Sequence, residues 1–579
     1  MKRLYEYLKD YKKETILAPL FKMLEALFEL FVPLVVARII DIGIVQQDHS
    51  YILKMGGLLV LLGMIGLTCS ITAQYYAAKS AVGFGTKLKE ALFVKINSFS
   101  YAQMDDVGIS TLLTRIISDA TQVQTGLNLV LRLFLRSPFI IAGSIIAAFY
   151  LDPKSAMVFV IGIPLLAIVV FAIMIITMPY YQNVQKKLDS VLLNVRENLS
   201  GIRVIRAFNR QTNEIGQFEE DCRELRSMQI FVGKISALLN PFTYIIVNGS
   251  IVLLLLIGGG QVASGFYETG TVVALVNYMS QILIELVKLA NLIINVTKSL
   301  ASGHRIIEIF DMPVDMVDGS QLLGEDGIEE ITFENVSFSY PNTKEHSLKN
   351  IFFTVKRGET IGIIGSTGSG KSTLVHLIPR YYEAAEGSVL VNQKNVQEYQ
   401  MNSLHNKIRI VPQKATLFQG SILENLKMGK QDATKEECMR ALEIAQASDW
   451  AKEEGSILDK VLTEGGKNLS GGQRQRLTIA RAVISNPSVL ILDDSSSALD
   501  NQTDLRLRQA LSKISHNCIT ILVSQRATSI KHANQIVVLE EGEMVGLGTH
   551  QDLINTCSIY REICLSQLEE SELQEKGGK

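Results

Sequence analysis

The sequence predicts a multidomain membrane protein: a six-helix α-helical transmembrane domain with long cytoplasmic extensions, followed by an α/β domain. Two observations predict this order. Roughly the first 300 residues contain about six stretches that approach the ~20 apolar residues needed to cross a bilayer. From Ile331 onward, short β-rich runs alternate with helical stretches, which is typical of an α/β domain with a largely parallel core sheet. These runs are 331–340, 359–365, 388–392, 408–413, 488–494, 520–525 and 535–545. The mean hydropathy of +0.21 is high for a chain that is 20% charged, so the apolar residues are concentrated in one region.

The predicted spans are long, and several are interrupted by charged residues. They lie at 15–42, 55–78, 126–150, 156–178, 240–263 and 271–300. Two further stretches, 78–126 and 180–234, are amphipathic and charged without loop punctuation. We therefore expect the helices to continue beyond the bilayer as hairpins. At 1.5 Å per residue, these hairpins extend roughly 30 Å or more.

Basic residues favour one side of the membrane. The predicted outer loops 39–53 and 261–270 contain no Lys or Arg, and the loop 151–155 contains only Lys154. The opposite side carries Lys2, Arg3, Lys9, Lys12, Lys13, Lys87, Lys89, Lys186, Lys187, Arg203, Arg206 and Arg210. By the positive-inside rule, both termini are predicted to be cytoplasmic. The N-terminal segment has no cleavable secretory pattern, so we expect the first span to be retained.

Charge and cysteine content exclude other classes of protein. The formal net charge of -2 gives no strong field that would attract nucleic acid. The six cysteines show neither CxxC nor zinc-binding spacing, and we interpret them as reduced packing residues.

An ordered series of nucleotide-binding motifs occupies the last third of the chain. The segment GSTGSGKS at 365–372 matches the P-loop pattern, in which backbone N–H groups and the lysine contact phosphates and the serine hydroxyl contacts magnesium. LSGGQ follows at 469–473, and LILDD ends at Asp494. The P-loop occurs in many NTPases, but its combination with LSGGQ and an apolar strand ending in Asp about 20 residues later is highly specific.

With these motifs, the chain resembles a half-transporter of the ATP-binding cassette exporter family, of type IV (the type I exporter fold). The resemblance implies a transmembrane domain at 1–305 with two intracellular coupling loops, a linker at 306–330, a nucleotide-binding domain at 331–565 and a polar tail at 566–579. The coupling loops correspond to 100–108 and 200–214. In this exporter type, the second loop docks on the cassette of the partner.

The resemblance also implies roles for individual residues, with ATP and Mg²⁺ as cofactors. Tyr340 matches the aromatic residue that stacks on adenine. The phosphate cradle comprises Gly365, Ser366, Thr367, Gly368, Ser369, Gly370, Lys371, Ser372 and Thr373. The resemblance implies that Ser372, Gln413 and Asp493 are the magnesium ligands, with Asp493 acting through water. A buried carboxylate at that position needs such a cation to offset its desolvation. Ser470, Gly471, Gly472 and Gln473 close over the ATP of a partner, and 497–500 lines that interface.

Two positions depart from the family pattern. Asp494 stands where the family has the glutamate that polarises the attacking water, and Gln525 replaces the histidine that contacts the terminal phosphate. A carboxylate withdrawn by about 1.5 Å positions water poorly, and losses on the order of 10²-fold follow from such misplacement. Gln525 can donate a hydrogen bond but carries no charge. Neutral drift in an active site is one interpretation. A degenerate, slowly hydrolysing site is the interpretation that we favour.

A degenerate site beside an intact LSGGQ indicates a heterodimer, resembling the degenerate-site subunit of a bacterial multidrug-type exporter. The partner would then carry Glu and His at the matching positions. An active homodimeric exporter and a regulatory or channel-like subunit gated by ATP are the alternatives. We expect an exporter in the plasma membrane that transports a small amphipathic molecule, a lipid or a peptide. Glu25 and Glu29 lie four residues apart on one face of the first helix, Arg132 and Arg136 share a face of the third, and Glu285 and Lys288 lie in the last. We expect these charged residues to pair with one another or to snorkel, rather than to bind cargo.

Overall fold

The computed structural model describes residues 3–265, 268–341, 343, 345–448, 457–513 and 515–567. The chain divides into two compact units. The first comprises Met1–Asn97 and Ser110–Met312, and the second comprises Ser98–Ile109 and Pro313–Lys579. The predicted polar tail lies outside the described residues from 568 onward.

The first unit is helical. Its helices are α1 (Lys12–Arg38), α2 (His49–Asn97), α4 (Ile109–Thr114), α5 (Ala120–Leu129), α6 (Arg136–Leu151), α7 (Pro153–Ser200), α8 (Ile202–Ala207), α9 (Gln211–Ala237), α10 (Leu239–Ala263) and α11 (Thr269–Asp311), with α3 (Tyr101–Val107) in the second unit. A 3-10 helix at Leu4–Tyr11 precedes α1, and π-helical turns occupy Ile39–Ile44, Arg115–Asp119 and Val130–Phe134. The turns at Arg115–Asp119 and Val130–Phe134 connect α4, α5 and α6, which together form one long helical stretch, Ile109–Leu151.

Five helical stretches of 43 to 53 residues in the described chain are long and apolar enough to cross a membrane. They are His49–Asn97, Ile109–Leu151, Pro153–Ser200, Gln211–Ala263 and Thr269–Asp311. Each exceeds the ~20 residues that a bilayer requires, so the helices extend beyond it, as the amphipathic stretches predict. The first predicted span, 15–42, is helical, but Lys22, Glu25 and Glu29 interrupt its apolar sequence. The number of six spans stays a prediction.

Small residues let the first helices pack closely. Ala18 and Ala26 on α1, and Ala73 and Ala77 on α2, are fully buried. Small side chains at such contacts allow backbones to approach one another, which favours association of helices in a membrane. The larger buried side chains, Phe159 and Tyr278 among them, fill a core formed by α1, α6, α7, α10 and α11.

The second unit contains a ten-stranded sheet with the order β5-β4-β1-β2-β12-β11-β3-β10-β9-β6. The strands are β1 (Glu330–Phe338), β2 (Leu348–Lys356), β3 (Thr360–Gly365), β4 (Glu386–Val391), β5 (Lys394–Asn395), β6 (Ile408–Val411), β9 (Val489–Asp493), β10 (Ile519–Val523), β11 (Gln535–Glu540) and β12 (Glu543–Gly548), and β7 (Gly420–Ser421) pairs with β8 (Val461–Leu462). The helices are α12 (Lys371–Leu377), α13 (Met401–Lys407), α14 (Ile422–Lys427), α15 (Lys435–Ile444), α16 (Gly471–Val483), α17 (Asn501–Ser512), α18 (Ala527–Ile530), α19 (His550–Thr556) and α20 (Ser558–Leu565).

The predicted fold class is confirmed: a helical membrane domain is followed by an α/β domain. Strands β6, β9, β10, β3 and β11 form the parallel core, whereas β1, β2 and β4 pair in antiparallel fashion. Strand β2 was missing from the predicted β-rich runs. The last helix of the first unit continues to Asp311, beyond the expected boundary at 305, because the apolar helical pattern persists up to Pro313.

Candidate functional site

The register of the parallel strands brings the predicted motifs to one edge of the sheet. Val523 at the end of β10 is aligned with Ile363 of β3 and with Asp493 of β9. The segments that follow these strands therefore leave the sheet side by side. Ligands bind at such carboxyl ends in open α/β sheets.

The loop between β3 and α12 forms a tightly packed turn. At Gly370, φ is 92°, and an added Cβ would lie 2.8 Å from the carbonyl oxygen of Ser347. At Gly365, an added Cβ would lie 2.1 Å from the carbonyl oxygen of Leu539. Only glycine avoids both the close contact and the left-handed strain at the first of these positions.

Lys371 folds back over this loop. Its Nζ donates hydrogen bonds to the carbonyl oxygens of Gly365 at 2.9 Å and of Ser366 at 2.6 Å. Burial lowers the pKa of Lys371, and Asp494 and Asp493 oppose this shift. The buried hydroxyl of Ser369 has no hydrogen-bond partner among the described residues. The loop thus holds a cation beside a turn of backbone N–H groups, an arrangement typical of phosphate sites.

An open cavity of about 1280 Å³ lies above the loop. The predicted residues that line it are Tyr340, Thr367, Gly368, Gly370, Lys371, Ser372, Thr373, Gln413, Asp493, Asp494 and Gln525. Residues lining it that the sequence did not single out are Thr343, Glu345, His346, Ser347, Lys349, Val523, Glu541 and Gly542. Of these, Gly542 lies in the Glu-Gly turn joining β11 and β12, a signal that was available in the sequence. The predicted Gly365, Ser366 and Ser369 belong to the loop but do not line the cavity.

Ser372 and Asp493 are in direct contact. The Ser372 hydroxyl donates to Asp493 Oδ1 at 3.0 Å, and Asp493 is buried. Burial raises the pKa of Asp493, as expected for a carboxylate with little solvent. A hydroxyl and a carboxylate fit Mg²⁺, which is held through one or two protein groups, phosphates and waters. In the described part of the chain, no group of three or more His, Cys, Asp or Glu forms a separate metal site.

Asp494 lies beside two glutamines. Its Oδ2 is 3.4 Å from Gln413 Nε2 and 3.5 Å from Gln525 Nε2. Burial, followed by the charge of Asp493, raises the pKa of Asp494. The backbone of Asp494 has φ of 44°, a left-handed conformation in which Asp is several-fold enriched. Both departures from the family pattern therefore meet at one buried carboxylate.

Tyr340 lies at the side of the cavity. Its hydroxyl is 3.0 Å from Thr373 Oγ1, and its ring packs edge to face against Phe338 and Tyr382. These contacts hold the ring in a defined orientation against the P-loop helix. The position is suitable for contact with a nucleobase.

The LSGGQ segment lies elsewhere in the second unit. Ser470 caps α16, and its side chain accepts a hydrogen bond from the backbone N–H of Gln473 at 3.3 Å. An added Cβ at Gly472 would lie 3.1 Å from the carbonyl oxygen of Ala498. None of the residues 470–473 lines the cavity described above. The structure therefore does not bring the two predicted halves of the site together in this chain.

The predicted first coupling loop belongs to the second unit. Helix α3 begins with a capping box between Ser100 and Gln103. The rings of Tyr101 and Tyr381 stack at 4.4 Å, and the Tyr382 hydroxyl donates to Asp105 Oδ2 at 2.6 Å. The sequence indicated the loop but not the tyrosines that bind it.

Comparisons with known proteins cover both parts of the chain. Residues 15–286 match the ABC transporter transmembrane region, and residues 348–497 match the ABC transporter family. The ABC transporter ATP-binding protein YfiB of Bacillus subtilis is 35% identical over 98% of each chain. An ATP-dependent lipid A-core flippase of Desulfotalea psychrophila is 31% identical over 81% of this chain and 82% of its own length. The structure of a bacterial Atm1-family ABC exporter with ATP bound has a TM-score of 0.80 at 21% identity, covering 97% of this chain and 99% of that one.

Proposed function

We propose that this chain is the degenerate-site subunit of a heterodimeric exporter. The chain belongs to the ABC transporter family and fuses a transmembrane region to an ATP-binding region. As an ABC exporter, it is a multi-pass membrane protein that couples an ATPase to transport and works as a dimer. ABC ATPases use ATP with Mg²⁺. Tyr340, the P-loop, Gln413 and Asp493 are the proposed ligands of the nucleotide and the metal.

The observation that carries this proposal is the environment of Asp494. Its carboxylate is short, buried and flanked by the neutral amides of Gln413 and Gln525. The Asp494 carboxylate does not reach as far toward an attacking water molecule as a glutamate would, and Gln525 lacks the charge that a histidine can carry. We therefore infer slow hydrolysis at the site formed by this P-loop.

The LSGGQ segment supports a second, active site shared with a partner. Its serine and glycines are intact, and the segment lies away from this chain's own cavity. In the arrangement of the family, these residues complete the ATP site of the other subunit. The partner would then supply the catalytic glutamate and histidine.

The predicted second coupling loop offers an apolar surface for that partner. Val204 on α8 is 60% exposed in this chain, and Phe208, which follows the helix, is 75% exposed. Exposed apolar side chains rimmed by charge mark contact sites. Docking on the cassette of the partner would cover them.

The direction and the cargo of transport are also part of the proposal. Cytoplasmic termini in the plasma membrane agree with the basic residues on one side of the spans. A small amphipathic molecule or a lipid is the proposed cargo. The name of the Desulfotalea relative, a lipid A-core flippase, supports an amphipathic cargo.

The test is the subunit composition of the complex isolated from its native membrane through a tag on this chain. We expect a second ABC half-transporter in equal amount, with Glu and His at the positions matching Asp494 and Gln525. Recovery of this chain alone as a dimer would contradict the heterodimer. Vectorial, ATP-dependent transport of an amphiphile by the same complex in vesicles tests export itself.

A further inference from the structure

A buried network of charged side chains connects three helices of the first unit. Arg136, at the start of α6, is 7% exposed. Its Nη2 donates to Glu29 Oε2 on α1 at 2.7 Å, and its Nη1 donates to Glu285 Oε1 on α11 at 2.6 Å. One guanidinium thus links α1, α6 and α11 inside the membrane domain.

The remaining members of the network balance its charge. Glu285 also accepts hydrogen bonds from the Ser137 hydroxyl at 2.7 Å and from Lys288 Nζ at 2.9 Å. Lys22 Nζ pairs with Glu25 Oε2 at 2.6 Å, and Glu25 Oε1 lies 3.9 Å from Arg136 Nε. Lys22, Arg136 and Lys288 therefore face Glu25, Glu29 and Glu285. The network is neutral as a whole, and all six side chains have a partner.

Some polar atoms of this network are nevertheless unsatisfied. Arg136 Nε and Gln281 Oε1 are buried without a hydrogen-bond partner among the described residues. Gln281 Nε2 reaches Glu29 Oε1 at 3.3 Å, a long hydrogen bond. Buried polar atoms of native proteins are nearly always paired, so unpaired ones inside a membrane domain point to a ligand.

The two most exposed members of the network carry opposite charges. The side chain of Glu29 is 37% exposed in this chain, and that of Lys288 is 42% exposed. Glu285, in contrast, is 2% exposed. Charged groups within spans face the interior of the bundle or a water-filled cavity rather than lipid tails. These two side chains therefore present a carboxylate and an ammonium group, each with bonding capacity left.

We propose that this network binds the zwitterionic headgroup of an amphipathic molecule, with its ammonium at Glu29 and Gln281 Oε1 and its phosphate at Lys288. A zwitterion leaves the neutral network neutral. A ligand with one charge would leave an uncompensated charge in a medium of low dielectric constant, which is costly. This inference rests on the proposed export function, since it names the substrate class.

The depth of the network agrees with a cargo site inside the membrane domain. Glu29 lies near the middle of the predicted span 15–42, and Glu285 lies near the middle of the predicted span 271–300. Charged groups at such a depth face the interior of the bundle or a water-filled cavity. The π-helical turn Val130–Phe134 ends just before Arg136, and such turns are frequent at functional sites.

The test uses the complex isolated through this chain, in micelles of an uncharged maltoside detergent. The probes share one dodecyl chain and differ in the headgroup: dodecylphosphocholine, dodecyl phosphate and dodecyltrimethylammonium. The measurement is the concentration of each probe that half-maximally stimulates ATP hydrolysis. We expect dodecylphosphocholine to act at the lowest concentration, and free phosphocholine, which has no chain, to have no effect.

Two variants should change this preference in opposite directions. Glu29→Gln should raise the half-maximal concentration of dodecylphosphocholine about tenfold and favour dodecyl phosphate, since a bond to a charged group is lost. Lys288→Gln should raise it similarly and favour dodecyltrimethylammonium. The control Lys298→Gln, an exposed charge further along α11, should leave all responses unchanged.

Two results would overturn the inference. One is an unchanged response to dodecylphosphocholine in both variants, and the other is an equal loss for all three probes, which indicates a structural role. If no probe stimulates hydrolysis or is transported by the wild-type complex, the proposed export of amphiphiles fails, and the headgroup site fails with it. Transport that is indifferent to headgroup charge would refute the headgroup site alone.

Discussion

At the scale of single residues, the proposed slow hydrolysis rests on Asp494 and Gln525. The Asp494 carboxylate ends one methylene short of a glutamate, and its left-handed backbone holds it against the sheet edge through a hydrogen bond from its N–H to Val523 O at 3.0 Å. Neither neighbouring glutamine approaches it closer than 3.4 Å. The side chain of Asp494 is shorter than a glutamate, and that of Gln525 lacks the charge of a histidine, whereas the P-loop matches its motif in full.

Restoring both residues should therefore restore hydrolysis. In the variant that carries Asp494→Glu and Gln525→His, we expect ATP turnover at this chain's own site to rise by about 10²-fold, because the water regains a positioned base. The measurement is single-turnover hydrolysis of ATP in the isolated complex. The single variant Gln525→His is the control and should give a smaller gain. Unchanged turnover in the double variant would show that the two substitutions are neutral.

At the scale of elements, helix α3 is held in the second unit by tyrosines that follow the P-loop helix. Tyr382 joins both ends of this arrangement, since its hydroxyl bonds Asp105 and its ring packs against Tyr340 at 5.3 Å. Burial, more than the neighbouring carboxylate, raises the pKa of Tyr382, so its hydroxyl remains a donor at neutral pH. Chain connectivity joins this segment to the membrane helices α2 and α4.

Removing the Tyr382 hydroxyl should weaken the link between hydrolysis and transport. In Tyr382→Phe, the ring packing remains but the bond to the Asp105 carboxylate is lost, at a cost of about 1.5–3 kcal/mol. We expect fewer molecules transported per ATP hydrolysed, measured in vesicles that hold the complete complex. Tyr399→Phe is the matched control, because its hydroxyl donates to the backbone oxygen of Val391 at 3.1 Å within the same unit. An equal effect of both variants would indicate lost stability rather than lost coupling.

At the scale of the whole molecule, the nucleotide-binding residues and the LSGGQ segment are separate surfaces of one unit. The cavity is lined by P-loop residues and by the last residues of β9 and β10, whereas LSGGQ begins α16. In the proposed arrangement, a complete site requires a second subunit. The proposed asymmetry of the two sites is then a property of the complex, not of this chain.

The asymmetry predicts unequal effects of two substitutions in this chain. Ser470→Arg should reduce ATP turnover of the complex by about 10²-fold, because it blocks the active site that the LSGGQ segment of this chain completes on the partner. Lys371→Ala should reduce turnover much less, because it disables a site that is already slow. The measurement is steady-state ATPase activity of the two purified complexes. Equal losses, or a larger loss in Lys371→Ala, would contradict the asymmetric arrangement.

The sequence by itself determined the order of the domains and most of the cavity. Long apolar stretches have no stable alternative to helices in a membrane, so the spans follow from composition. The P-loop, Gln413 and Asp493 each belong to a short motif that ends or follows a predicted strand. Such motifs meet at one edge of a parallel sheet. Strand β2 was not among the predicted β-rich runs, although its segment IFFTV at 351–355 is rich in the β-branched and aromatic residues that favour strands.

Only the tertiary structure decided which distant residues meet. The sequence placed Glu25 and Glu29 on one helix face and left their partners open, because charges separated by a hundred residues or more have no local relation. Packing brings Arg136 between α1 and α11, with Glu29 and Glu285 at 2.7 and 2.6 Å. In the same way, packing brings Tyr382 to Asp105. The physical reason is that pairing of buried charges and tyrosines depends on helix and sheet contacts, which are set by the whole fold rather than by neighbouring residues.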